Sequence, residues 1–193
     1  IARAAAMART MIRSSLKLLK GGDYDFEPGQ ISEPINNIMA LFEYQARQKG
    51  VAVSVAIEKD LPELNVSILH IQRALLNVLF NALSFLDKGG EIKVSARREG
   101  GFVKVLVEDN GPGFPPELMS SGIAAYRSVR KNKAGTGLGL FGAMDTMKKH
   151  GGELAIRNRQ PSGATVEFHI PIPGRKPNLN PAVQGNFIGK IKE

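Results

Sequence analysis

The segment over residues 68–86 is strongly apolar and contains neither glycine nor proline. Its apolar residues recur at every third or fourth position, which predicts an α-helix that is buried over most of its surface. Gly89 and Gly90 follow it and predict its end. A helix of this kind needs neighbours on several sides, so the chain must build a layered domain around it.

The segments that flank this helix alternate between helical and strand patterns, which predicts an α/β domain. Ser32 is expected to cap a helix that has Pro34 in its first turn and ends at Gly50. Residues 51–57 then alternate with the period of two that is typical of a strand. The other predicted elements are a β-hairpin of residues 92–96 and 102–107, a helix over residues 138–150 and two strands over residues 153–157 and 165–170.

Residues 110–137 lack a clear period and are rich in glycine and proline. A long irregular segment inside a domain is usually functional, so we predict an irregular lid here. Residues 1–20 have the periodicity of an amphipathic helix, which Gly21 and Gly22 end. Residues 174–193 form a tail rich in proline and asparagine.

The net charge of +8 permits binding to nucleic acid, acidic lipid or a phosphate-bearing ligand. No aromatic residues interleave with the basic clusters near the N-terminus and in the lid, so we expect no nucleic-acid binding. Cysteine is absent, which excludes disulfides and cysteine-based metal sites and fits a reducing compartment. No apolar run reaches the ~18–20 residues of a membrane-spanning helix, so we expect a soluble, cytoplasmic segment without membrane contact.

Two asparagines stand on the predicted apolar helix. Asn77 and Asn81 lie four residues apart and therefore share one face. An amide buried without hydrogen bonds costs roughly 1–3 kcal/mol, so each side chain needs a partner. That partner is either a neighbouring backbone group or a polar ligand, and the pair alone does not decide between them.

Asp109 ends the second strand of the predicted hairpin and precedes a turn that contains Gly111 and Gly113. A carboxylate in this place can accept a hydrogen bond from an exocyclic amine, and the glycines let a flat base approach the backbone. An ordinary β-turn is the alternative for this string taken alone.

Residues 135–140 place several glycines at the start of the predicted helix over residues 138–150. Free backbone N–H groups and the positive end of a helix attract phosphate, and glycines leave room for its approach. The pattern is not a Rossmann motif, because a long basic loop rather than a strand precedes it. It is not a P-loop either, because no Lys-Ser or Lys-Thr pair follows the glycines.

Taken in this order, the segments resemble the sequence boxes of the GHKL ATPase superfamily of gyrase, Hsp90, histidine kinases and MutL, and most closely those of the histidine kinases. Residues 76–83 resemble the N box, 109–114 the G1 box and 135–140 the G2 box, and residues 150–154, 163–165 and 170–171 also follow the family's pattern. The resemblance implies an α/β two-layer sandwich of a mixed β-sheet and three helices, the Bergerat-type ATP-binding fold.

The resemblance also implies how the chain is divided. Residues 1–22 would be the C-terminal helix of a dimerisation and histidine phosphotransfer unit. Residues 23–173 would be the ATP-binding catalytic domain, and residues 174–193 a C-terminal tail.

The resemblance assigns roles to single residues. Asn81 would coordinate Mg²⁺, Asn77 would support that metal or its water, and Asp109 would accept the adenine amino group. Thr165 would reach Asp109 directly or through a water. The residues implied in ATP binding are Asn77, Asn81, Ser84, Asp109, Gly111, Gly113, Phe114, Gly135, Thr136, Gly137, Leu138, Gly139, Leu140 and Thr165.

Two differences within the superfamily bear on catalysis. Gyrase, Hsp90 and MutL-type ATPases carry a water-activating Glu where this chain has Asn77, so transfer of phosphate is expected rather than hydrolysis. Many histidine kinases have a Lys and an aromatic residue directly after the N box, where Ser84 and Phe85 stand here. Arg127, Arg130 or Lys131 in the lid is the candidate to replace the missing phosphate contact, and the alternative is that these basic residues are simply solvated. Asn77, Arg130 and Lys131 are the predicted catalytic residues.

A histidine kinase needs a phosphoacceptor histidine on a two-helix unit, and no histidine of this chain fits. We expect His70 on a helix surface, His150 as a helix C-terminal cap and His169 on a strand. The acceptor is therefore expected upstream of residue 1 or on another protein. The implied partners are ATP with Mg²⁺, the receiver domain of a response regulator and, through the N-terminal helix, a second copy of the chain. A GHKL serine kinase of the anti-sigma type and a degenerate adaptor without nucleotide are the alternatives.

Overall fold

The computed structural model describes residues 23–129 and 138–175, with the side chains of residues 124–129 and of Leu138 left out. The predicted helix over residues 1–20 and the tail from residue 176 lie outside this part, as do residues 130–137 of the lid. In chain order the elements are β1 (Glu27–Gly29), α1 (Ser32–Lys49), β2 (Ala52–Ile57), β3 (Leu64–Val66), α2 (Ile68–Ser84), β4 (Glu91–Glu99), β5 (Phe102–Asp109), α3 (Pro116–Val129), α4 (Leu138–Lys149), β6 (Glu153–Asn158) and β7 (Ala164–Pro171).

The main sheet has five strands in the order β2-β4-β5-β7-β6. Strands β2 and β4 are parallel, and the other neighbours are antiparallel, so the sheet is mixed as predicted. Strands β1 and β3 form a separate antiparallel pair. One face of the main sheet, which includes Val94, Val105 and Phe168, packs against the buried faces of α1, α2 and α4. The predicted two-layer α/β sandwich is therefore confirmed.

Helix α2 is buried over most of its length, as the apolar pattern predicted. Its buried residues are His70, Ile71, Ala74, Leu75, Leu76, Val78, Leu79, Ala82 and Leu83. It lies between α1 and α4 and contacts both. Among the helices of the described segments, none has the length and apolarity that crossing a membrane requires.

The lid contains a helix that the sequence did not indicate. Helix α3 is a fourth helix where an irregular segment and three helices were expected. It is interrupted at Gly122, whose φ of 85° and ψ of 164° are not helical. Each half is too short to show a helical period, and this is why the pattern was missed. Leu118 and Ile123 tie the two halves to the core.

The start of α1 also differs from the prediction. Ile31 occupies the N-cap position, and no side-chain hydrogen bond caps the helix, so Ser32 is its first helical residue and not its cap. The end agrees with the prediction, since the N–H of Gly50 donates to the carbonyl oxygens of Ala46 and Arg47.

The segment before β1 packs against the ends of two helices. The Tyr24 ring stacks on His70 with centroids 3.6 Å apart, and the Lys149 ammonium lies 4.6 Å from the centre of the same ring. Phe26 lies edge-on to His150 at 4.8 Å. His70 was expected on the helix surface but is buried, because Tyr24 covers it and Ser67 Oγ hydrogen-bonds to its Nδ1 at 2.9 Å.

Candidate functional site

The start of α4 packs directly against Asn77. A Cβ atom added at Gly139 would lie 3.4 Å from the Asn77 carbonyl oxygen, and one added at Gly142 would lie 3.6 Å from Asn77 Nδ2. Glycines at these positions let the backbone of the helix approach the half-buried amide. The structure therefore brings together the N-box asparagine and the helix start that follows the G2 glycines.

Asp109 lies at the end of β5, and one of its carboxylate oxygens is held by the backbone. Oδ1 accepts hydrogen bonds from the N–H of Gly111 at 2.9 Å and from the N–H of Ala164 at 3.2 Å. Burial raises the pKa of the Asp109 carboxyl, and these hydrogen bonds and the charge of Arg159 partly oppose that effect. Within the described residues Oδ2 makes no hydrogen bond, so one fixed carboxylate oxygen is left to accept from a ligand.

The turn after Asp109 lies against the end of α2. A Cβ atom added at Gly111 would lie 3.3 Å from Leu86 Cδ2 and 3.8 Å from the Phe85 carbonyl oxygen. Asn110 Oδ1 accepts from the N–H of Glu91 at 2.8 Å, which ties the turn to β4. Helix α2 thus touches the G1 turn at its C-terminal end and the start of α4 near its middle.

Asn81 and Ser84 lie on the exposed side of α2. Ser84 Oγ donates to the Asn81 carbonyl oxygen at 2.7 Å, and the Asn81 side chain is exposed to solvent. No cluster of three His, Asp or Glu side chains suited to a metal occurs in the described part of the chain. An amide oxygen without such a cluster fits Mg²⁺ that arrives with phosphate and keeps most of its waters, because such ions use only one or two protein ligands.

Thr165 does not contact the Asp109 carboxylate. It pairs with Glu108 on β5 and with Arg157 on β6, and side chains of adjacent strand residues point to opposite faces. Thr165 therefore lies on the face away from Asp109, and Ala164 takes the position beside the carboxylate through its N–H. The Thr165 hydroxyl is fully buried and has no hydrogen-bond partner in the described structure. The expected direct contact between Thr165 and Asp109 is wrong for this reason.

The remaining predicted site residues are placed as follows. Phe114 and Leu140 are half-buried and pack against the core. Leu138 begins α4, and its side chain is not described. The residues that lie outside the described part are Arg130, Lys131, Gly135, Thr136 and Gly137, and their roles stay predictions.

Two residues of the β6–β7 hairpin contact the site, and no sequence pattern indicated them. The side-chain amide of Asn158 accepts from the Phe114 N–H at 2.6 Å and donates to the Phe114 carbonyl oxygen at 3.0 Å. Arg159 Nη1 donates to the Asp109 carbonyl oxygen at 3.1 Å. A Cβ atom at Gly113, whose φ is 81°, would lie 2.8 Å from Asn158 Oδ1. The glycine is thus required by a contact within the protein.

A cavity of about 440 Å³ lies elsewhere in the molecule. Its lining residues are Phe26, Asn65, Lys149, His150, Gly151, Pro171, Ile172 and Pro173. None of the predicted site residues lines it.

Known proteins match this chain over most of its length. The family described as histidine kinase-, DNA gyrase B-, and HSP90-like ATPase matches residues 66–174, which is more than half of the chain. An uncharacterized sensor-like histidine kinase of Rhizobium meliloti is 29% identical over 172 residues, covering 86% of this chain and 32% of the relative. The alginate biosynthesis sensor protein KinB of Pseudomonas aeruginosa is 34% identical over 124 residues, covering 64% of this chain and 21% of KinB. The chain thus spans a third or less of the length of these two relatives.

Solved structures share the fold. The catalytic domain of histidine kinase ThkA, in a nucleotide-free form, has a TM-score of 0.67 at 26% identity and covers 76% of this chain and 95% of its own. Two others support the fold alone. ThkA in complex with the response regulator protein TrrA has a TM-score of 0.58 at 21% identity, and covers 88% of this chain and 48% of its own. Full-length ShkA in complex with AMPPNP has a TM-score of 0.66 at 23% identity, and the match covers 88% of this chain and 36% of the ShkA chain.

The matched family, the sensor-kinase relatives and the fold of the ThkA catalytic domain all indicate the same family. The chain therefore belongs to the histidine kinase-, DNA gyrase B-, and HSP90-like ATPases, as the catalytic ATP-binding domain of a histidine kinase.

Proposed function

We propose that this chain binds ATP with Mg²⁺ and transfers the γ-phosphate to a histidine in two-component signalling. The observation that carries the proposal is the packing of two motif segments, the turn after Asp109 and the start of α4, against the helix that carries the N box. Asn77 contacts Gly139 of α4, and the end of α2 contacts Gly111 of the turn after Asp109. The two ends of a nucleotide would be recognised at these two places along one helix.

The base would be read by Asp109. Its Oδ1 is already occupied by two backbone N–H groups, so Oδ2 is the atom that would accept from the adenine amino group. The phosphates would lie at the start of α4, because the first backbone N–H groups of a helix have no acceptor inside that helix and the helix dipole is positive there. Arg130 and Lys131 would add positive charge to the transferring group.

Asn81, supported by Asn77, would hold the metal through its side-chain oxygen. Mg²⁺ held there would supply positive charge that neutralises the charge developing on the phosphate oxygens. Asn77 carries an amide, which cannot take a proton from water, and this favours phosphate transfer over hydrolysis.

The same proposal includes a phosphoacceptor histidine upstream of residue 1 or on another protein. It also includes a dimer formed through the N-terminal helix and a cytoplasmic location. A response regulator receiver domain would take the phosphate from the histidine. The complex of ThkA with the response regulator TrrA supports this partner class.

Calorimetric titration with ADP and ATP in the presence of Mg²⁺ tests the nucleotide site. We expect micromolar-range binding that Asn81→Ala and Asp109→Asn each weaken by about tenfold or more, since a buried or charged hydrogen bond contributes about 1.5–3 kcal/mol. Asp109→Asn is informative because its amide keeps the Oδ1 contacts and replaces Oδ2 by a donor. Asn37→Ala, an exposed asparagine on α1, is the matched control and should bind as the unmodified chain does. Unchanged binding in both site variants would remove the assignment, and absence of any binding would favour the adaptor alternative.

A further inference from the structure

We propose that Asn158 is a positioning residue that fixes the base-reading turn and thereby determines the preference for adenine over guanine. The proposal rests on the proposed function, because it assumes that Asp109 meets the base. It concerns the β6–β7 hairpin, which is not among the sequence boxes of the nucleotide site.

Asn158 holds the turn at its end. Both polar atoms of its side chain bind the backbone of one residue, with Oδ1 accepting from the Phe114 N–H at 2.6 Å and Nδ2 donating to the Phe114 carbonyl oxygen at 3.0 Å. This is the pairing that a neighbouring strand would offer, supplied here by a side chain. The contact needs a donor and an acceptor on two separate atoms of a short side chain. An amide supplies both, whereas an ionised carboxylate has no donor and a hydroxyl has only one polar atom. We call these two hydrogen bonds between Asn158 and Phe114 the clamp. A Cβ atom at Gly113 would lie 2.8 Å from Asn158 Oδ1, so a glycine at this position makes room for the clamp.

The same hairpin holds the turn at its start. Arg159 Nη1 donates to the Asp109 carbonyl oxygen at 3.1 Å, and the Ala164 N–H donates to Asp109 Oδ1 at 3.2 Å. A Cβ atom at Gly163 would lie 2.0 Å from the Asp109 carbonyl oxygen, so a side chain at this position would clash with the backbone of the turn. The turn is therefore anchored on both sides of its glycines. A loosened anchor at Phe114 would change the direction in which the Asp109 carboxylate points.

A displaced Asp109 would affect base recognition before it affects phosphate binding. Adenine offers an amino group at the position where guanine offers a carbonyl oxygen, so a carboxylate there accepts from adenine and repels guanine. The clamp residues touch the turn and not Asn77 or Gly139, which lie on the phosphate side. The ratio of ATP affinity to GTP affinity is thus the quantity that shows whether the clamp keeps the Asp109 carboxylate in place.

The test measures the dissociation constants of Mg-ATP and Mg-GTP for the whole chain by calorimetry, well below the unfolding temperature of each variant. In Asn158→Ala we expect ATP to bind about tenfold more weakly, because the turn is no longer held at Phe114 and the Asp109 carboxylate is no longer fixed toward the adenine amino group. GTP affinity should change much less, so the ATP-to-GTP ratio should fall by about tenfold. Asn158→Asp has the same shape and keeps an acceptor for the Phe114 N–H, but it has no donor for the Phe114 carbonyl oxygen, so it should also lower the ratio. Ser162→Ala, at an exposed position in the same hairpin, should retain the ratio of the unmodified chain.

Arg159→Ala removes the other anchor and should shift the ratio in the same direction. Because Asn158 and Arg159 are both exposed, their replacement should leave the fold intact, which thermal unfolding verifies. An unchanged ratio in Asn158→Ala, or an equal loss for ATP and GTP, would overturn the proposal. If Asp109→Asn abolishes the preference while Asn158→Ala leaves it intact, only this inference fails. If neither Asn158→Ala nor Asp109→Asn changes ATP binding, this inference and the proposed role of Asp109 in the nucleotide site both fail.

Discussion

Gly152 precedes β6 and Gly163 precedes β7, and both lie very close to a backbone carbonyl oxygen. A Cβ atom at Gly163 would lie 2.0 Å from the Asp109 oxygen, and one at Gly152 would lie 2.1 Å from the His169 oxygen. Neither backbone oxygen can move without its strand. The two positions differ in what they touch, because only Gly163 lies against the residue that we propose reads the base.

We predict that Gly163→Ala and Gly152→Ala each lower the free energy of unfolding by about 1–3 kcal/mol, because the added methyl group forces backbone shifts. Gly163→Ala has the additional strain of a φ of +110°. Only Gly163→Ala should weaken ATP binding when both variants are measured well below their unfolding temperatures. Urea unfolding measures the free energy of unfolding of each variant, and calorimetry measures its ATP affinity. Equal loss of ATP affinity in both variants would show that the effect is general destabilisation.

The position of Thr165 shows what a residue pattern leaves open. The family resemblance implied that it reaches Asp109 directly or through a water, and its backbone is next to Ala164, which donates to that carboxylate. Which of two adjacent strand residues faces the site depends on register with β5, and a shift of one residue exchanges the two faces. Register is set by pairing between strands and not by the local sequence.

At the scale of elements, His150 joins the C-terminal end of α4 to the start of α2. Its Nδ1 donates to the Thr146 carbonyl oxygen at 2.7 Å, and its Nε2 accepts from the Ser67 N–H at 3.0 Å. It thereby adds a second donor to the Thr146 oxygen, which also accepts from the His150 backbone N–H, and it gives the Ser67 N–H at the start of α2 a partner. The predicted role as a helix C-terminal cap is confirmed, and the link to α2 adds to it.

This arrangement requires a neutral imidazole, because protonated Nε2 would face the Ser67 N–H. Burial lowers the pKa of His150 below its ordinary value of 6.5, and the nearby His70 acts in the same direction. The unfolded chain therefore takes up the proton first as the pH falls below 6.5, and this contribution to stability is lost from there down through the folded pKa. Above 6.5 it is fully present.

We predict that the free energy of unfolding is lower one pH unit below 6.5 than one unit above it, and that His150→Gln reduces this difference. Urea unfolding of both chains at the two pH values gives the four free energies needed. The lowered pKa values of Glu99 and Glu167 belong to groups that titrate below 4.5, so they contribute little in this window. An identical pH dependence in both chains would exclude His150 as its source.

At the scale of the whole molecule, all three histidines of the chain are buried. His70 is 5% exposed, His150 is 7% exposed and His169 is 4% exposed, and each has a hydrogen-bond partner. A buried imidazole cannot reach the γ-phosphate of a nucleotide bound by the same domain. The structure thus gives a physical reason for the expectation that the phosphoacceptor lies outside residues 1–193.

We predict that this chain incorporates negligible label from γ-labelled ATP when incubated alone. Joined to a two-helix unit that carries an exposed histidine, the domain should yield label that acid removes and alkali retains, as phosphohistidine does. Treatment of the labelled protein with acid and with alkali makes the distinction. Acid-stable label on the chain alone would contradict histidine transfer and support the serine-kinase alternative.

Several parts of this molecule could be predicted from sequence because their signals are local. The buried helix α2, the β4–β5 hairpin, the end of α1 at Gly50 and the order of the three motif segments depend on periods and turn residues within short windows. Strands β1 and β3 span three residues each and carry no readable period, and Gly122 divides α3 into halves that are too short.

Other features were decided only when distant segments met. The burial of His70 depends on Tyr24, which lies far from it in the chain, and the clamp on the G1 turn joins Phe114 to Asn158 across 44 residues. Sequence by itself determined the positions of the local signals and indicated the candidates for nucleotide binding, because residue chemistry and local spacing are written in the chain. Tertiary structure decided which of them face one another, because strand register and packing depend on contacts that no local window contains.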